Sequence, residues 1–172
     1  MSTNTNDKVV SVLNELIETC KDGAQGFSTA AKDAKAPNLK DIFSKYAAQR
    51  NSFAADLDGF VVSYRGEPAE TGHVAAMVHR GWINLKTAVP GNDDKAILNE
   101  CERGEDYAKK AYIEALKEEL PVEVLTVVRR QANEIVAAHD AVRDLRDHAN
   151  ALESASKAYP NTIDSKQPVY RD

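Results

Sequence analysis

Hydrophobic residues recur every three to four positions in four long stretches of this chain, with polar residues between them. This period places the apolar side chains on one face of a helix, because consecutive residues are about 100° apart around its axis. Short segments that contain proline or glycine separate the stretches, and these two residues interrupt helices. The pattern therefore predicts four long helices, over residues 7–34, 37–64, 93–120 and 121–158.

The ends of these helices carry recognisable signals. Thr5 or Asn6 can act as the N-cap of the first helix. Pro37 suits the first position of the second helix, and Pro121 suits the start of the fourth. Gly66 is the expected stop of the second helix, because glycine readily adopts the backbone conformation that follows a helix.

The connection between the second and third helices is much longer than the others. It runs from Gly66 to Gly91, and apolar residues within it predict a shorter helix over residues 73–89. About 16 helical and about 10 extended residues reach roughly 55 Å, more than the roughly 42 Å of a 28-residue helix. The sequence therefore predicts an all-α, ferritin-like four-helix bundle, in which a long crossover containing a short helix joins two antiparallel hairpins.

Length and composition limit the class of protein further. The 172 residues suit one domain, and we assign residues 1–158 to the bundle and residues 159–172, which lack a helical period, to a non-helical C-terminal tail. A net charge of −5 argues against a nucleic-acid partner. The apolar runs are too short to span a membrane, and the polar N-terminus is unlike a signal peptide. We therefore expect a cytoplasmic protein with neither nucleic acid nor a membrane as its partner.

Polar residues interrupt the apolar faces near the middle of three predicted helices. A charge buried in a protein core is costly unless it is paired and hydrogen-bonded. We therefore predict that Arg50 pairs with Glu105 in the bundle core. In the alternative, a tilted helix lets some of these residues reach solvent. The predicted buried network consists of Arg50, Glu105, Gln131 and His139.

A metal centre is the alternative use of these positions. Ferritin-like di-metal proteins take a Glu from each of two helices and a Glu-x-x-His motif from each of the other two. The chain's Glu-x-x-His motif runs from Glu70 to His73, in the crossover, and Arg50 would repel a cation. We therefore predict no catalytic residues and no cofactor, with iron or another divalent metal as the alternative. The ligands would then be Glu102, Glu105, Glu134 and His139.

Small residues on the helix faces form a further candidate site. Gly23 and Gly26 lie within the first helix and Gly81 within the crossover helix, where glycine costs about 1 kcal/mol relative to alanine. Such glycines permit close packing, and Trp82 is the expected large partner, so these four positions form a predicted packing or interaction surface. Cys20 and Cys101 also lie on core faces, where they can serve as small hydrophobes.

Several short segments follow one another in a characteristic order along the chain. They are Leu16–Phe27, Tyr46–Phe53, His79–Trp82, Glu102–Asp106 and Ala138–Asp147. Their order resembles a bacterial family of four-helix-bundle proteins of unknown function within the ferritin-like superfamily. The resemblance implies a ferritin-like bundle in the cytoplasm, loosely associated with stress responses, and no established activity, substrate or cofactor. Asp56 stands where such proteins often have Glu.

Three functions fit these observations. The first is a non-enzymatic bundle whose metal centre is replaced by a polar network, and which acts through its surface or its assembly. The second is a ferritin-like metal-binding or oxidase protein with an atypical carboxylate and histidine site. The third is a helical interaction module that uses the Trp82 helix or the tail. A homo-oligomer and an unidentified protein partner both remain open.

Overall fold

The structure, a computed structural model, describes residues 3–70 and 93–158. Within these residues it contains four helices and no strand. The predicted crossover helix, with Gly81 and Trp82, and the predicted tail lie outside the described residues. The helices are α1 (Thr3–Asp33), α2 (Pro37–Ser63), α3 (Asp94–Ala115) and α4 (Val122–Ala158).

Two of the predicted helix ends are wrong. Helix α1 already includes residues 5 and 6, so Thr5 and Asn6 do not cap it. Helix α3 ends at Ala115, five residues before the predicted end at residue 120. The chain must reverse before Pro121, which has no N–H group and disfavours a helical residue before it.

The end of α2 depends on two consecutive residues with different roles. Arg65, with a φ of 60°, adopts the left-handed conformation that we expected of Gly66. The backbone N–H groups of Gly66 and Arg65 donate to the carbonyls of Val61 and Val62, which is a Schellman motif. Gly66 is required for a different reason, because a Cβ there would lie 2.6 Å from a methyl carbon of Val10.

Contacts at the two ends of the bundle define how the helices run. At one end, Asp94 of α3 accepts hydrogen bonds from the backbone N–H groups of Lys35 and Ala36, between α1 and α2. At the other end, the Tyr64 hydroxyl beyond α2 donates to Glu123 of α4. Helices α2 and α3 therefore begin at the same end and run in the same direction. The connection between them must return along the 27 residues of α2, about 40 Å.

The first part of that connection lies against α1. The Asn14 side chain donates to the carbonyl of Glu67 and accepts from the N–H of Ala69. Further along α1, Lys21 Nζ donates to the Ala69 carbonyl over 2.5 Å. Residues 66–69 therefore follow α1 away from the end where α2 stops. The structure confirms two antiparallel hairpins with a long connection between them.

Candidate functional site

The bundle core is divided into two hydrophobic clusters by a layer at mid-height. Each helix has one position in this layer. The residues of one cluster lie before that position along the helix, and the residues of the other cluster lie after it. We call this set of positions the midpoint layer. Because the four helices meet here, it is where a ferritin-like protein would place a metal centre. The midpoint layer consists of Gly23 on α1, Arg50 on α2, Glu105 on α3 and His139 on α4.

Arg50 and Glu105 form an ion pair across this layer. Arg50 Nη2 lies 2.5 Å from Glu105 Oε2, and each side chain is only 1% exposed. Helices α2 and α3 stand diagonally opposite each other, since each packs against α1 and α4. The ion pair therefore crosses the centre of the bundle. Each charge balances the other in a region that solvent does not reach.

Two aromatic rings flank the Arg50 guanidinium. Its Cζ atom lies 5.9 Å from the centre of the Phe27 ring and 5.6 Å from the centre of the Phe53 ring. A guanidinium within about 6 Å of an aromatic face is attracted by the negative charge of that face. The two rings therefore stabilise the buried cation from α1 and from α2.

A second donor of Arg50 begins a polar chain that leads to the surface. Arg50 Nη1 donates to Gln49 Oε1 over 2.5 Å, and Gln49 Nε2 donates to Glu134 over 2.9 Å. Arg130 then bridges Glu134 and Asp56, at 3.3 Å and 2.7 Å. These residues line the seam between α2 and α4. Sequence analysis missed Gln49 because its position lies beside the apolar face and not within it.

Gln131 is buried and connects to Arg50 only indirectly. Its Nε2 lies 3.4 Å from Asp56 Oδ2, the oxygen that also accepts from Arg130. Its Nε2 donates to the Phe53 carbonyl over 3.2 Å, and its Oε1 accepts from the Tyr112 hydroxyl over 2.8 Å. The Tyr112 hydroxyl also lies 3.1 Å from Cys20 Sγ. No direct hydrogen bond joins Gln131 to Arg50 in the predicted network, because Gln131 lies about two helical turns from the midpoint layer.

His139 lies in the midpoint layer but faces its rim. Its Nε2 is 2.9 Å from Asp106 Oδ1, and its Nδ1 is 3.1 Å from Asp140 Oδ1. Asp106 is exposed and Asp140 is half-buried, whereas His139 is buried. Arg50 and Glu105 are therefore in direct contact, whereas Gln131 connects to Arg50 through the polar chain between α2 and α4. His139 bonds to the two aspartates instead.

Burial has the largest effect on the pKa of Glu105. Loss of solvent raises the pKa of its carboxyl group, and the charge and hydrogen bond of Arg50 lower this pKa only in part. A smaller lowering comes from the charge of His139. The pKa of Glu105 therefore lies above its ordinary value although a cation is in contact with the carboxyl group, because that group is removed from solvent.

The alternative metal ligands are engaged elsewhere. Glu102 pairs with Arg146, Glu105 with Arg50, and Glu134 with Gln49 and Arg130. Within residues 3–70 and 93–158, no three His, Cys, Asp or Glu side chains are grouped so that they could hold a metal ion. The residues of the midpoint layer therefore do not fit a di-metal centre.

The small residues on α1 have distinct surroundings. Gly23 faces the Arg50 side chain, and a Cβ at this position would lie 3.4 Å from Arg50 Cγ. Gly26 is also buried, and the predicted partner Trp82 lies outside the described residues. Cys20 and Cys101 are free thiols in different hydrophobic clusters. In the described part of the chain, no helix combines the length and apolar character needed to cross a membrane.

Solved structures with the same architecture identify the class of protein as a ferritin-like four-helix bundle. A mutant of Dps1 from Mycobacterium smegmatis matches with a TM-score of 0.72 and 14% identity, over 85% of this chain and 99% of that chain. A dodecameric thioferritin, the bacterioferritin-related protein from Bacteroides fragilis, matches with a TM-score of 0.71 and 15% identity, over 87% and 90%. At these identities the likeness confirms the predicted fold alone.

Sequence comparison gives the family. The chain belongs to the family described as Domain of unknown function (DUF2383), which it matches over residues 8–118. This confirms the resemblance to a family of unknown function. No curated protein matches the chain at a significant level.

Proposed function

We propose that this protein is a non-enzymatic ferritin-like bundle in which the Arg50–Glu105 ion pair takes the place of a di-metal centre. The observation that carries the proposal is the 2.5 Å contact between these two side chains in the midpoint layer. In this account the protein acts through its surface or its assembly, and the ion pair serves the fold.

The residue types of the midpoint layer support this proposal. A di-metal centre needs carboxylates and imidazoles from all four helices. Within the midpoint layer α1 supplies Gly23 and α2 supplies Arg50, and neither residue is a metal ligand. The neighbouring carboxylate on α1, Asp22, is buried, but it belongs to no group of three possible ligands among the described residues. One carboxylate, Glu105, and one imidazole, His139, remain, and too few oxygen and nitrogen ligands are left for two metal ions.

Electrostatics lead to the same conclusion. Two unit charges 4 Å apart repel by about 4 kcal/mol at an effective dielectric constant of about 20, and a divalent ion doubles this cost. The guanidinium stays charged at any ordinary pH, so Arg50 cannot remove this repulsion by losing a proton. A cation could enter only if Arg50 left the core and exchanged its contacts with Phe27, Phe53 and Glu105 for water.

Elemental analysis of the full chain, purified without chelator, tests the proposal. We expect far less than one iron, manganese or zinc ion per chain, and oxidation of added ferrous iron no faster than in protein-free buffer. One or two ions per chain would overturn the proposal if Glu105→Ala or His139→Ala removed them. The matched control is Glu118→Ala, which removes a partly exposed carboxylate that pairs with Lys8.

We further propose that the chain forms a homo-oligomer. Val62 and Val122 are 62% and 78% exposed, and the Tyr64–Glu123 hydrogen bond places them at the same end of the bundle. The Bacteroides fragilis thioferritin of the same fold is dodecameric. Light scattering should show a multimer that Val62→Lys with Val122→Lys disrupts, whereas Ala48→Lys on the exposed side of α2 does not. A wild-type monomer would contradict this proposal.

The resemblance also leads us to propose a cytoplasmic, stress-associated role in bacteria. Cell fractionation and protein levels before and after oxidative or osmotic stress test it. A protein found outside the cytoplasm, or one whose level never changes, would contradict this role.

A further inference from the structure

Two atoms of the central ion pair are buried without a visible partner. Among the described residues, neither Arg50 Nε nor Glu105 Oε1 has a hydrogen-bond partner, although both atoms are shielded from solvent. Buried polar atoms are nearly always hydrogen-bonded, to protein or to an ordered water molecule. Two such atoms on the same ion pair therefore call for a common explanation.

The geometry of the guanidinium places the Nε–H group next to the bonded Nη2. In arginine, Nε–H and one Nη2–H leave along the same edge of the planar group. Glu105 Oε2 already accepts from Nη2 over 2.5 Å. The Phe27 and Phe53 rings cover the guanidinium and provide no carbonyl or hydroxyl acceptor. Neither ring nor Glu105 Oε2 therefore serves as the partner of Nε, which leaves a small molecule as the candidate partner.

Gly23 leaves room for such a partner. A Cβ at this position would lie 3.4 Å from Arg50 Cγ, 3.6 Å from Cδ and 3.8 Å from Nε. A water oxygen that accepts from Nε–H would lie about 2.9 Å from the nitrogen. Because Gly23 has no Cβ, α1 places no side-chain atom in the volume of one methyl group beside Arg50 Cγ, Cδ and Nε.

We infer that Gly23, Arg50 and Glu105 form a site for one internal water molecule. The water accepts a hydrogen bond from Arg50 Nε and donates one to Glu105 Oε1, which gives it the two polar partners that a buried water needs. A cation is excluded by the guanidinium and an anion by the carboxylate, so a neutral donor and acceptor is the class of ligand that fits.

This inference rests on the ion pair of the proposed function and deepens it. The water completes the hydrogen bonding of the pair, so that both charged groups can stay in the core without a metal. The two ideas can fail separately, because elemental analysis reports the metal and the following experiment reports the water.

The sign of the stability change on Gly23→Ala tests the inference. Gly59→Ala is the matched control, because Gly59 is exposed on α2 and no described atom lies within 4 Å of a Cβ there. Helix propensity alone should raise the folded-to-unfolded ratio about five-fold in either variant. We expect this gain for Gly59→Ala. For Gly23→Ala we expect a ratio about five-fold below wild type, because the methyl group displaces the water.

A second background separates loss of the water from simple crowding. In the Arg50→Met, Glu105→Leu double variant there is no water to displace, so Gly23→Ala should stabilise the protein as Gly59→Ala does. In the wild-type full chain, NMR should show magnetisation transfer between the Arg50 Nε proton and a long-lived water. Stabilisation by Gly23→Ala in the wild type, an equal loss in both backgrounds, or the absence of this NMR signal would each overturn the inference.

Discussion

The Tyr112 hydroxyl donates a hydrogen bond to Gln131 Oε1 over 2.8 Å, where both side chains are buried. Because the hydroxyl has a single hydrogen, the Cys20 thiol must be the donor in its 3.1 Å contact with the same oxygen. Gln131 in turn donates to the Phe53 carbonyl. Cys20, Tyr112, Gln131 and Phe53 come from α1, α3, α4 and α2, so one hydrogen-bonded chain joins all four helices.

Removal of the Tyr112 hydroxyl tests the importance of this chain. Tyr112→Phe leaves Gln131 Oε1 buried without its donor, so we expect a loss of about 1–3 kcal/mol in the free energy of unfolding. Tyr64→Phe is the matched control, because the Tyr64 hydroxyl bonds to the exposed Glu123. Its loss should stay within about 0.5 kcal/mol. Chemical denaturation measures both, and equal small losses would show that the buried chain does not contribute.

A double-mutant cycle tests the ion pair. Arg50→Met alone or Glu105→Leu alone strands the opposite charge in the core, and each should cost about 3–5 kcal/mol. The double variant replaces both groups by apolar side chains, so it should cost much less than the sum of the single changes. Chemical denaturation measures all three. Two small and additive losses would mean that the two side chains are solvated and independent.

The raised pKa of Glu105 determines how the stability of the protein should change with pH. The contribution of Glu105 should fall as the pH rises. Burial raises this pKa from its ordinary value of 4.5, so the carboxyl group binds a proton more strongly in the folded state than in the unfolded state. The stability that results is complete below pH 4.5 and is lost as the pH rises through the folded-state pKa. The advantage of the wild type over Glu105→Gln should therefore shrink as the pH rises.

Glu153 provides a control of opposite sign. Hydrogen bonds from Lys157 and Lys95 lower its pKa from 4.5 to about 2. The stability that Glu153 contributes is present above pH 4.5 and is lost as the pH falls toward 2. The free energy of unfolding of the wild type, relative to that of Glu153→Gln, should increase as the pH rises. The increase should be small because the site is exposed. Equal pH trends for the two variants would contradict this prediction.

The two cysteines should be unreactive in the folded protein. Burial raises the pKa of Cys20 to about 11, against smaller lowering effects of Tyr112 and Arg50, and it raises the pKa of Cys101 well above its ordinary value. The thiolate is the reactive form, so its fraction near neutral pH is very small. A thiol reagent such as Ellman's reagent should label both cysteines only after denaturation. Fast labelling of either one in the native protein would be inconsistent with this burial.

The helices and their core faces follow from local sequence, and the structure confirms the fold that they predict. Proline and the apolar period define α2 closely, because these signals act within one helix. The end of α3 depends instead on the space that the chain needs to reverse before Pro121. Arg65 and not Gly66 takes the left-handed position, and residue 66 must be small because it lies against Val10, which belongs to a distant part of the chain.

The site could be predicted only in part. The apolar faces single out Arg50 and Glu105 as polar residues at core positions, and the structure places both in the midpoint layer. The periodicity of one helix does not reveal its height relative to another. The predicted network therefore includes Gln131 beside Arg50 and Glu105, although Gln131 lies about two turns away beside Tyr112. Tyr112 lies among the apolar residues of the core, and its hydroxyl acquires a hydrogen-bonding role only when the fold brings it to Gln131.

The central claim is that an ion pair, and not a metal, balances charge in the middle of this bundle. Calorimetric titration of the metal-stripped full chain with Mn²⁺, and with Fe²⁺ under anaerobic conditions, tests this most directly. The account predicts no saturable binding in the wild type, because Arg50 already neutralises Glu105. Saturable binding of one or two ions per chain, abolished by Glu105→Ala and retained in Glu118→Ala, would contradict it.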